Sequence, residues 1–173
     1  MKRTDRKADH SEKPGSAHAP RLDQIDRKIL NLLQENNQIT NQELAQRVGL
    51  SAPPCLRRVR ELRDSGVISQ DVALLDPSKV GQNLVVFVNI SLEKQREDLL
   101  SHFERRMMEE SEVLQCYFVS GDTDYLLVIH VADMNHYNEF ARRVFANEPN
   151  IKMFRSSFCL NRVKYSTKVH LVP

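Results

Sequence analysis

The stretch from residue 40 to residue 66 reads TNQELAQRVGLSAPPCLRRVRELRDSG and predicts two short helices joined by a tight turn. Thr40 and Glu43 form a capping-box pattern, in which each side chain satisfies a free backbone N–H at the start of the first helix. Gly49 predicts the end of that helix, because glycine readily adopts the left-handed backbone conformation. Ser51 is expected to cap a second helix that runs to about Ser65 and is closed by Gly66. The stretch is therefore predicted to be helix, turn, helix.

The second of these helices has two chemically different sides. At 100° per residue, one side collects an apolar stripe, made of Cys55, Leu56, Val59 and Leu62. Arg57 points almost directly away from the stripe, and Arg58 and Arg60 flank it. The stripe is predicted to face a core, whereas the basic side is predicted to face outward. Cys55 lies within the stripe, which favours a packing role over an oxidation switch.

A helix is also predicted before this stretch, where apolar residues recur at helical spacing behind a capping Asp23: Leu22, Ile25, Ile29, Leu32 and Leu33. Three short helices with a Gly-Leu-Ser turn are typical of a helix-turn-helix. A predicted strand over residues 67–75 makes a winged form plausible.

A major groove suits such a basic helix face, because arginine can read a guanine edge and neighbouring cations can take phosphates. We expect Arg57 to read a base, Arg58 and Arg60 to contact phosphates, and the helix starts to bind the DNA backbone. The predicted DNA-binding residues are Thr40, Asn41, Gln42, Ser51, Ala52, Pro53, Pro54, Arg57, Arg58 and Arg60. Taken alone, the arginines favour a merely solvated helix face. The capped three-helix context, with its Gly-Leu-Ser turn and prolines at the start of the helix, reverses this preference in favour of DNA binding.

Beyond the helices the hydrophobic period changes to that of strands. Strands are predicted over 84–92, 113–119 and 125–131, helices over 95–110 and 134–147, and a last strand or strand pair over 151–167. The order β-α-β-β-α-β is that of a ferredoxin-like unit. The predicted fold class is thus α+β, with a winged helix-turn-helix followed by a ferredoxin-like domain. The predicted domains are a disordered basic tail over 1–20, a DNA-binding domain with its linker strand over 21–80, and a second domain over 81–173.

Composition bounds the function of the 173-residue chain. The net charge is +2 for residues 1–20, +2 for 21–64 and −2 for the rest, so the basic part is N-terminal, as expected for a polyanion partner.

No apolar run is long enough to cross a bilayer, no secretory signal is seen, and three cysteines fit a reducing compartment, so we expect a cytoplasmic protein without a membrane partner. No metal-ligand spacing, catalytic arrangement or phosphate loop occurs, so we expect no enzyme, cofactor or metal. A metal or enzyme site at Cys116, His130 and Cys159 is the weaker alternative.

Four segments resemble the leucine-responsive regulator (Lrp/AsnC, feast/famine) family: LDQIDRKILNLLQENNQITNQELAQRVGLSAPPCLRRVRELRDSGVI, ALLDPSKVG, SGDTDYLLVIHVADMNHYNEF and SSFCLNRVKYST. The resemblance covers roughly residues 21–170. It implies homodimers built by a shared β-sandwich of the C-terminal domains, often assembled further into octamers on double-stranded DNA. It also implies that this domain senses a small amino acid.

The resemblance places the effector pocket at the turn between the second and third strands of the sensing domain. The matching residues are Gly121, Asp122, Thr123, Asp124 and Tyr125, with Ser156 and Ser157 on the last strand. Backbone N–H groups at Gly121 suit a carboxylate, and the two aspartates suit an ammonium group. An ordinary hairpin turn explains the same residues. An architectural DNA-binding protein without an effector is therefore the alternative function.

Overall fold

The computed structural model describes residues 21–172, and the predicted tail over residues 1–20 lies outside this range. The described residues divide into two compact units. The first holds residues 21–72 together with 166–172, and the second holds residues 73–165. The compact units divide at 72/73, and a C-terminal segment belongs to the first unit. The predicted domain boundary at 80/81 stays a prediction.

The first unit is built on three helices, α1 (Gln24–Glu35), α2 (Asn41–Val48) and α3 (Ala52–Asp64). Asp23 and Asp26 form a complete capping box at the start of α1. The Thr40 hydroxyl accepts the N–H of Glu43 at the start of α2, and Gly49 ends that helix with a φ of 75°. Local sequence chemistry thus sets the ends of α1 and α2. At α2 the Thr40 half of the predicted capping box is formed, and the Glu43 carboxylate instead accepts a hydrogen bond from Arg47 at 2.8 Å.

The core of the first unit brings together one side of each helix. Its buried members are Ile29, Leu30, Leu44, Ala45, Val48, Cys55, Val59 and Leu62. Leu56, which was predicted to belong to the apolar stripe of α3, is instead exposed.

The predicted strand over residues 67–75 is absent from the structure, where this segment has no regular secondary structure. Val67 and Ile68 pack against the core of the first unit, and the Ile68 N–H donates to the Leu62 carbonyl at 3.0 Å. The chain therefore folds back on α3 here instead of pairing with a neighbouring strand. Alternating apolar residues predict a strand only where a pairing partner is available.

The second unit begins with a short 3-10 turn (Pro77–Val80) and then follows the predicted order β-α-β-β-α-β. Its elements are β1 (Leu84–Leu92), α4 (Glu97–Glu109), β2 (Val113–Phe118), β3 (Tyr125–Val131), α5 (Met134–Val144) and β4 (Ile151–Phe158). The strands form one antiparallel sheet in the order β2-β3-β1-β4. This is the predicted ferredoxin-like arrangement, except that the last strand stops at Phe158 and residues 159–172 add no strand pair.

The two faces of this sheet differ in burial. Val86, Val88, Leu127 and Ile129 lie on one face, where they are buried in a core shared with α4 and α5. Register places Phe87, Val128 and Ser157 together on the opposite face, where Phe87 is exposed. One face is therefore the core of the second unit, and the other has no cover within this unit.

Candidate DNA-binding face and ligand-binding turn

The outer side of α3 presents arginine to solvent. The Arg57 side chain is 72 % exposed, and its nearest acidic neighbour is Glu61, one turn along the helix, with the Nε and Oε1 atoms 3.9 Å apart. Arg60 is exposed on the same helix. Exposed ion pairs at this spacing are weak and screened by salt, so both guanidinium groups are available to a polyanion.

Arg58, by contrast, is already engaged inside the unit. Its Nη1 lies 2.7 Å from Asp23 and 2.8 Å from Asp26, and its side chain is only 26 % exposed. The hydrogen bonds from Asp26 and Asp23 raise the pKa of the Arg58 guanidinium. In the structure Arg58 joins α3 to the start of α1. Its predicted phosphate contact stays a prediction. Sequence spacing gave no signal of this pairing, because the partners lie 35 and 32 residues away.

The starts of α2 and α3 lie close together. The Asn41 side-chain amide donates to the Ala52 carbonyl at 2.9 Å, so Asn41 holds the two helix starts in place. Gln42 and Pro53 are exposed, whereas Ala52 and Pro54 are half-buried. These residues present one surface at the N-terminal end of α3.

Two further predicted DNA contacts, Ser51 and Thr40, differ in whether their side chains cap a helix. The Ser51 side chain makes no capping hydrogen bond, although Ser51 holds the N-cap position as predicted. Ser51 is exposed, and within residues 21–172 no hydrogen bond of its side chain caps α3. Thr40 caps α2 and is exposed, so its hydroxyl is already used as an acceptor.

The predicted ligand-binding turn connects β2 to β3. Gly121 has a φ of 133°, which disfavours a side chain at this position. Asp122 is exposed and Thr123 is half-buried. The Val119 N–H donates to the Asp124 carbonyl at 2.9 Å and closes the turn. The turn therefore offers the Asp122 carboxylate and backbone around Gly121 to solvent.

Asp124 and Tyr125 face inward. The Asp124 carboxylate accepts the Leu92 N–H at 2.6 Å and the Gln95 side-chain amide at 2.5 Å. The Tyr125 side chain is buried, and its hydroxyl donates to Glu104 at 2.8 Å. Burial, followed by the hydrogen bond to Glu104, raises the pKa of the Tyr125 phenol. Asp124 and Tyr125 thus hold the end of the turn through contacts inside the second unit. Gln95 and Glu104 are their hydrogen-bond partners, which the local sequence pattern did not predict.

Ser156 and Ser157 lie on opposite faces of β4. The Ser156 hydroxyl is hydrogen-bonded to the Tyr137 hydroxyl on the helix-covered face. Ser157 pairs with Phe87 and lies on the uncovered face. A single pocket within one subunit therefore does not receive both side chains.

A separate cavity of about 810 Å³ lies elsewhere in the second unit. Leu74, Leu75 and Leu114 supply apolar walls, and His130, Arg162 and Tyr165 supply polar groups. None of the predicted effector residues lines it. Among residues 21–172, no group of three or more His, Cys, Asp or Glu side chains is placed to hold a metal ion.

Each of the two units matches the model of a known protein family. Residues 22–69 match a model of winged helix-turn-helix DNA-binding domains, and residues 85–169 match a model of the Lrp/AsnC ligand-binding domain. The leucine-responsive regulatory protein of Escherichia coli is 38% identical over 161 residues, which cover 93% of this chain and 96% of that protein.

Two solved structures extend the comparison. A transcriptional regulator of Neisseria meningitidis in complex with L-Met has a TM-score of 0.82 and 39% identity, covering 87% of this chain and 97% of that one. The feast or famine regulatory protein of M. tuberculosis, complexed with L-methionine, has a TM-score of 0.75 and 34% identity, covering 87% and 99%.

A helix-turn-helix joined to a ligand-binding α+β unit defines a DNA-binding transcriptional regulator rather than an enzyme. The chain belongs to the Lrp/AsnC family.

Within residues 21–172, no helix combines the length and the apolar character that crossing a bilayer requires.

Proposed function

We propose that this protein is a sequence-specific regulator whose assembly and DNA binding respond to a small amino acid. The observation that carries the DNA half of the proposal is the outward, largely unpaired Arg57 on a helix whose other side is locked into the core. A rigid helix with a free guanidinium can enter a major groove and donate two hydrogen bonds to one guanine. Arg60 and the exposed Ser51 and Gln42 are the proposed backbone contacts.

The DNA role is tested with a duplex that the wild-type protein selects from a random pool. Arg57→Ala should weaken binding to that duplex by about 1–3 kcal/mol and relax the base preference at one position. Arg60→Ala should weaken selected and scrambled duplexes alike and flatten the salt dependence.

Arg142→Ala is the matched control, because Arg142 is an exposed arginine of the second unit. Binding should be unchanged in this variant. An equal loss on selected and scrambled duplexes for Arg57→Ala would remove Arg57 from base reading.

The proposed effector is an α-amino acid, bound at the turn around Gly121. Two relatives were solved with L-methionine, so methionine is the first compound to test. The exposed Asp122 carboxylate suits the ammonium group, and backbone N–H groups near Gly121 suit the carboxylate. Asp124, Tyr125 and Ser156 support the turn and its neighbouring strand through buried contacts.

A thermal-shift panel of the twenty amino acids tests the effector. A ligand present at 100 times its Kd stabilises the folded state by about 2.7 kcal/mol, which is readily measured. Asp122→Asn should abolish the shift without lowering the melting temperature of the free protein. Glu109→Gln, which removes an exposed carboxylate of the same unit, should leave the shift intact. A shift that survives in Asp122→Asn would move the site away from this turn.

We further propose that two copies pair through the uncovered face of the sheet and that such dimers assemble further, up to octamers. Antiparallel sheets with an apolar uncovered face are usually packed against another layer. Two DNA-binding units in one assembly bind DNA with higher affinity than a single unit. A ligand that favours one assembly over another therefore changes the affinity for DNA. The proposed compartment is the cytoplasm, where a bacterial chromosome lies.

The alternative function, an architectural DNA-binding protein without an effector, keeps the DNA proposal and drops the ligand. The buried inward bonds of Asp124 are the observation that favours it, since they leave the turn with one free carboxylate. No stabilisation by any of the twenty amino acids, together with intact DNA binding, would select this alternative.

A further inference from the structure

One face of α1 binds the main chain of an extended segment close to the C-terminus. Arg27, Asn31 and Gln34 share this face, since they are spaced by four and three residues. Their side chains donate to the carbonyls of Val172 at 3.1 Å, Leu171 at 3.3 Å and Val169 at 3.1 Å, respectively. Gln34 also accepts the Val169 N–H at 2.7 Å, so its amide pairs with the segment in both directions.

Two side chains of this segment, residues 168–172, also contact the first helices. Leu171 is half-buried and packs against the core of the first unit. Lys168 forms an ion pair with Glu35, with Nζ and Oε1 2.7 Å apart. Val169 and Val172 remain 65 % and 64 % exposed. The surface therefore recognises an extended backbone, one apolar anchor and one cation.

These contacts suit reversible docking. Most of the hydrogen bonds are solvent-exposed, and hydrogen bonds in water make small net contributions. Residues 159–172 contain no helix or strand that would enforce the position of the segment. Attachment to the same chain raises the local concentration of the segment, which keeps a weak contact mostly formed.

The chain passes from the first unit to the second at 72/73 and returns at 165/166. The returning segment follows β4, which pairs with β1 and carries Ser156 and Ser157. We propose that residues 168–172, which follow the ligand-binding unit along the chain, form a releasable strap on α1 within the DNA-binding unit. The proposed occupant is the chain's own segment, and docking tunes DNA affinity by restraining the DNA-binding helices.

Amide hydrogen exchange tests the docking without reference to DNA. The Val169 N–H should be protected in the wild-type protein, and Gln34→Ala should raise its exchange rate at least tenfold while leaving β4 unchanged. Unaltered protection of Val169 in Gln34→Ala would overturn the strap.

A charge-reversal pair tests the consequence for DNA. Lys168→Glu should release the strap and lower the affinity for the selected duplex three- to tenfold, and adding Glu35→Lys should restore both affinity and protection. Lys164→Glu is the matched control, because it makes the same charge change four residues earlier, where the described residues show no partner for Lys164. An equal loss of affinity in Lys168→Glu and Lys164→Glu, or no rescue in the double variant, would overturn the coupling.

A monomeric variant shows whether the segment bound to α1 belongs to the same chain or to a second copy. Protection of Val169 that persists in the monomer assigns the strap to the same chain, whereas protection lost on monomerisation assigns it to a second copy and overturns this part of the proposal. If the selected duplex is not bound at all, the exchange measurements still decide the docking, so failure of the proposed function and failure of the strap remain distinguishable.

Discussion

At the scale of single residues, the Asp23 carboxylate serves two structures at once. It accepts the Asp26 N–H at 2.8 Å, which caps α1, and it pairs with Arg58 on α3 at 2.7 Å. The backbone hydrogen bond from Asp26 and then the Arg58 guanidinium lower the pKa of Asp23 below its usual 3.8. One ionised side chain therefore holds both the start of α1 and the position of α3.

This double role predicts an acid-sensitive first unit. A carboxyl group whose pKa is lowered by folding stabilises the protein fully above its unfolded pKa, and that stabilisation is lost as the pH falls through the folded pKa. The free energy of unfolding should thus lose the Asp23 contribution below about pH 4. Denaturation followed by circular dichroism between pH 3 and 6 measures this loss. In Asp23→Asn the acid dependence should be shallower, because asparagine still caps the helix but carries no titrating charge; an unchanged slope would contradict the assignment.

Two thiols are predicted to be unreactive in the folded protein. Burial raises the pKa of Cys55, and burial together with Glu104 raises the pKa of Cys116 to about 11. Since the thiolate is the reacting form, both should resist iodoacetamide at pH 8. Mass spectrometry should show slow modification of Cys55 and Cys116 in the native state and rapid modification in urea. Rapid native labelling of Cys55 would revive an oxidation switch in α3.

At the scale of elements, a buried ion pair joins α4 to the segment after α5. The Glu148 side chain is 1 % exposed, and its carboxylate lies 3.2 Å from Nη1 of Arg106. Nη2 of Arg106 also donates to the Arg143 carbonyl at 3.0 Å, at the end of α5. The pair thus fixes the distance between the two helices that cover the sheet.

Removing one partner should cost far more than removing both. Arg106→Met replaces the guanidinium and leaves the buried Glu148 carboxylate with the exposed His102 imidazole, 3.7 Å away. This variant should destabilise the second unit by about 3 kcal/mol, whereas the further change Glu148→Leu should recover much of that loss. Urea denaturation of the single and double variants measures the coupling. Arg105→Met is the control on the same helix, because Arg105 is exposed and its Nε donates to the Ser101 carbonyl of its own helix. A stable Arg106→Met variant would show that the pair is not needed.

At the scale of the whole molecule, the second unit has one covered and one uncovered sheet face. The register of the strands places Val85, Phe87, Tyr117, Leu126, Val128 and Met153 on the uncovered face. Phe87, Tyr117 and Met153 are exposed in the single chain. Exposed apolar patches of this kind mark association surfaces.

A charge in the middle of this face should separate the proposed dimer. Phe87→Asp is expected to give a folded monomer, because burying an unpaired carboxylate in an apolar interface is costly. Light scattering behind size-exclusion chromatography measures the mass. Met108→Lys is the control, since Met108 is 73 % exposed on α4, on the opposite side of the sheet. A dimer that persists in Phe87→Asp would place the subunit contact elsewhere.

Much of the architecture follows from local patterns. The caps at Asp23 and Thr40, the left-handed Gly49 and the apolar period of β1 each depend on residues within a few positions of one another. Such short-range chemistry can be read from the chain itself. Together with the family resemblance, it predicted the order of elements, the two kinds of unit and the outward position of Arg57.

The amino-acid sequence by itself thus determined the three helices of the first unit, the β-α-β-β-α-β order of the second, and which side of α3 is basic. It wrongly predicted a strand over residues 67–75. Only the tertiary structure decided that Arg58 is bound by Asp23 and Asp26, that Asp124 turns inward to Leu92 and Gln95, and that residues 168–172 return to α1. The physical reason is distance along the chain. Hydrogen bonds and ion pairs between residues 29 to 145 positions apart depend on how the folded elements pack together, and no local sequence pattern predicts them.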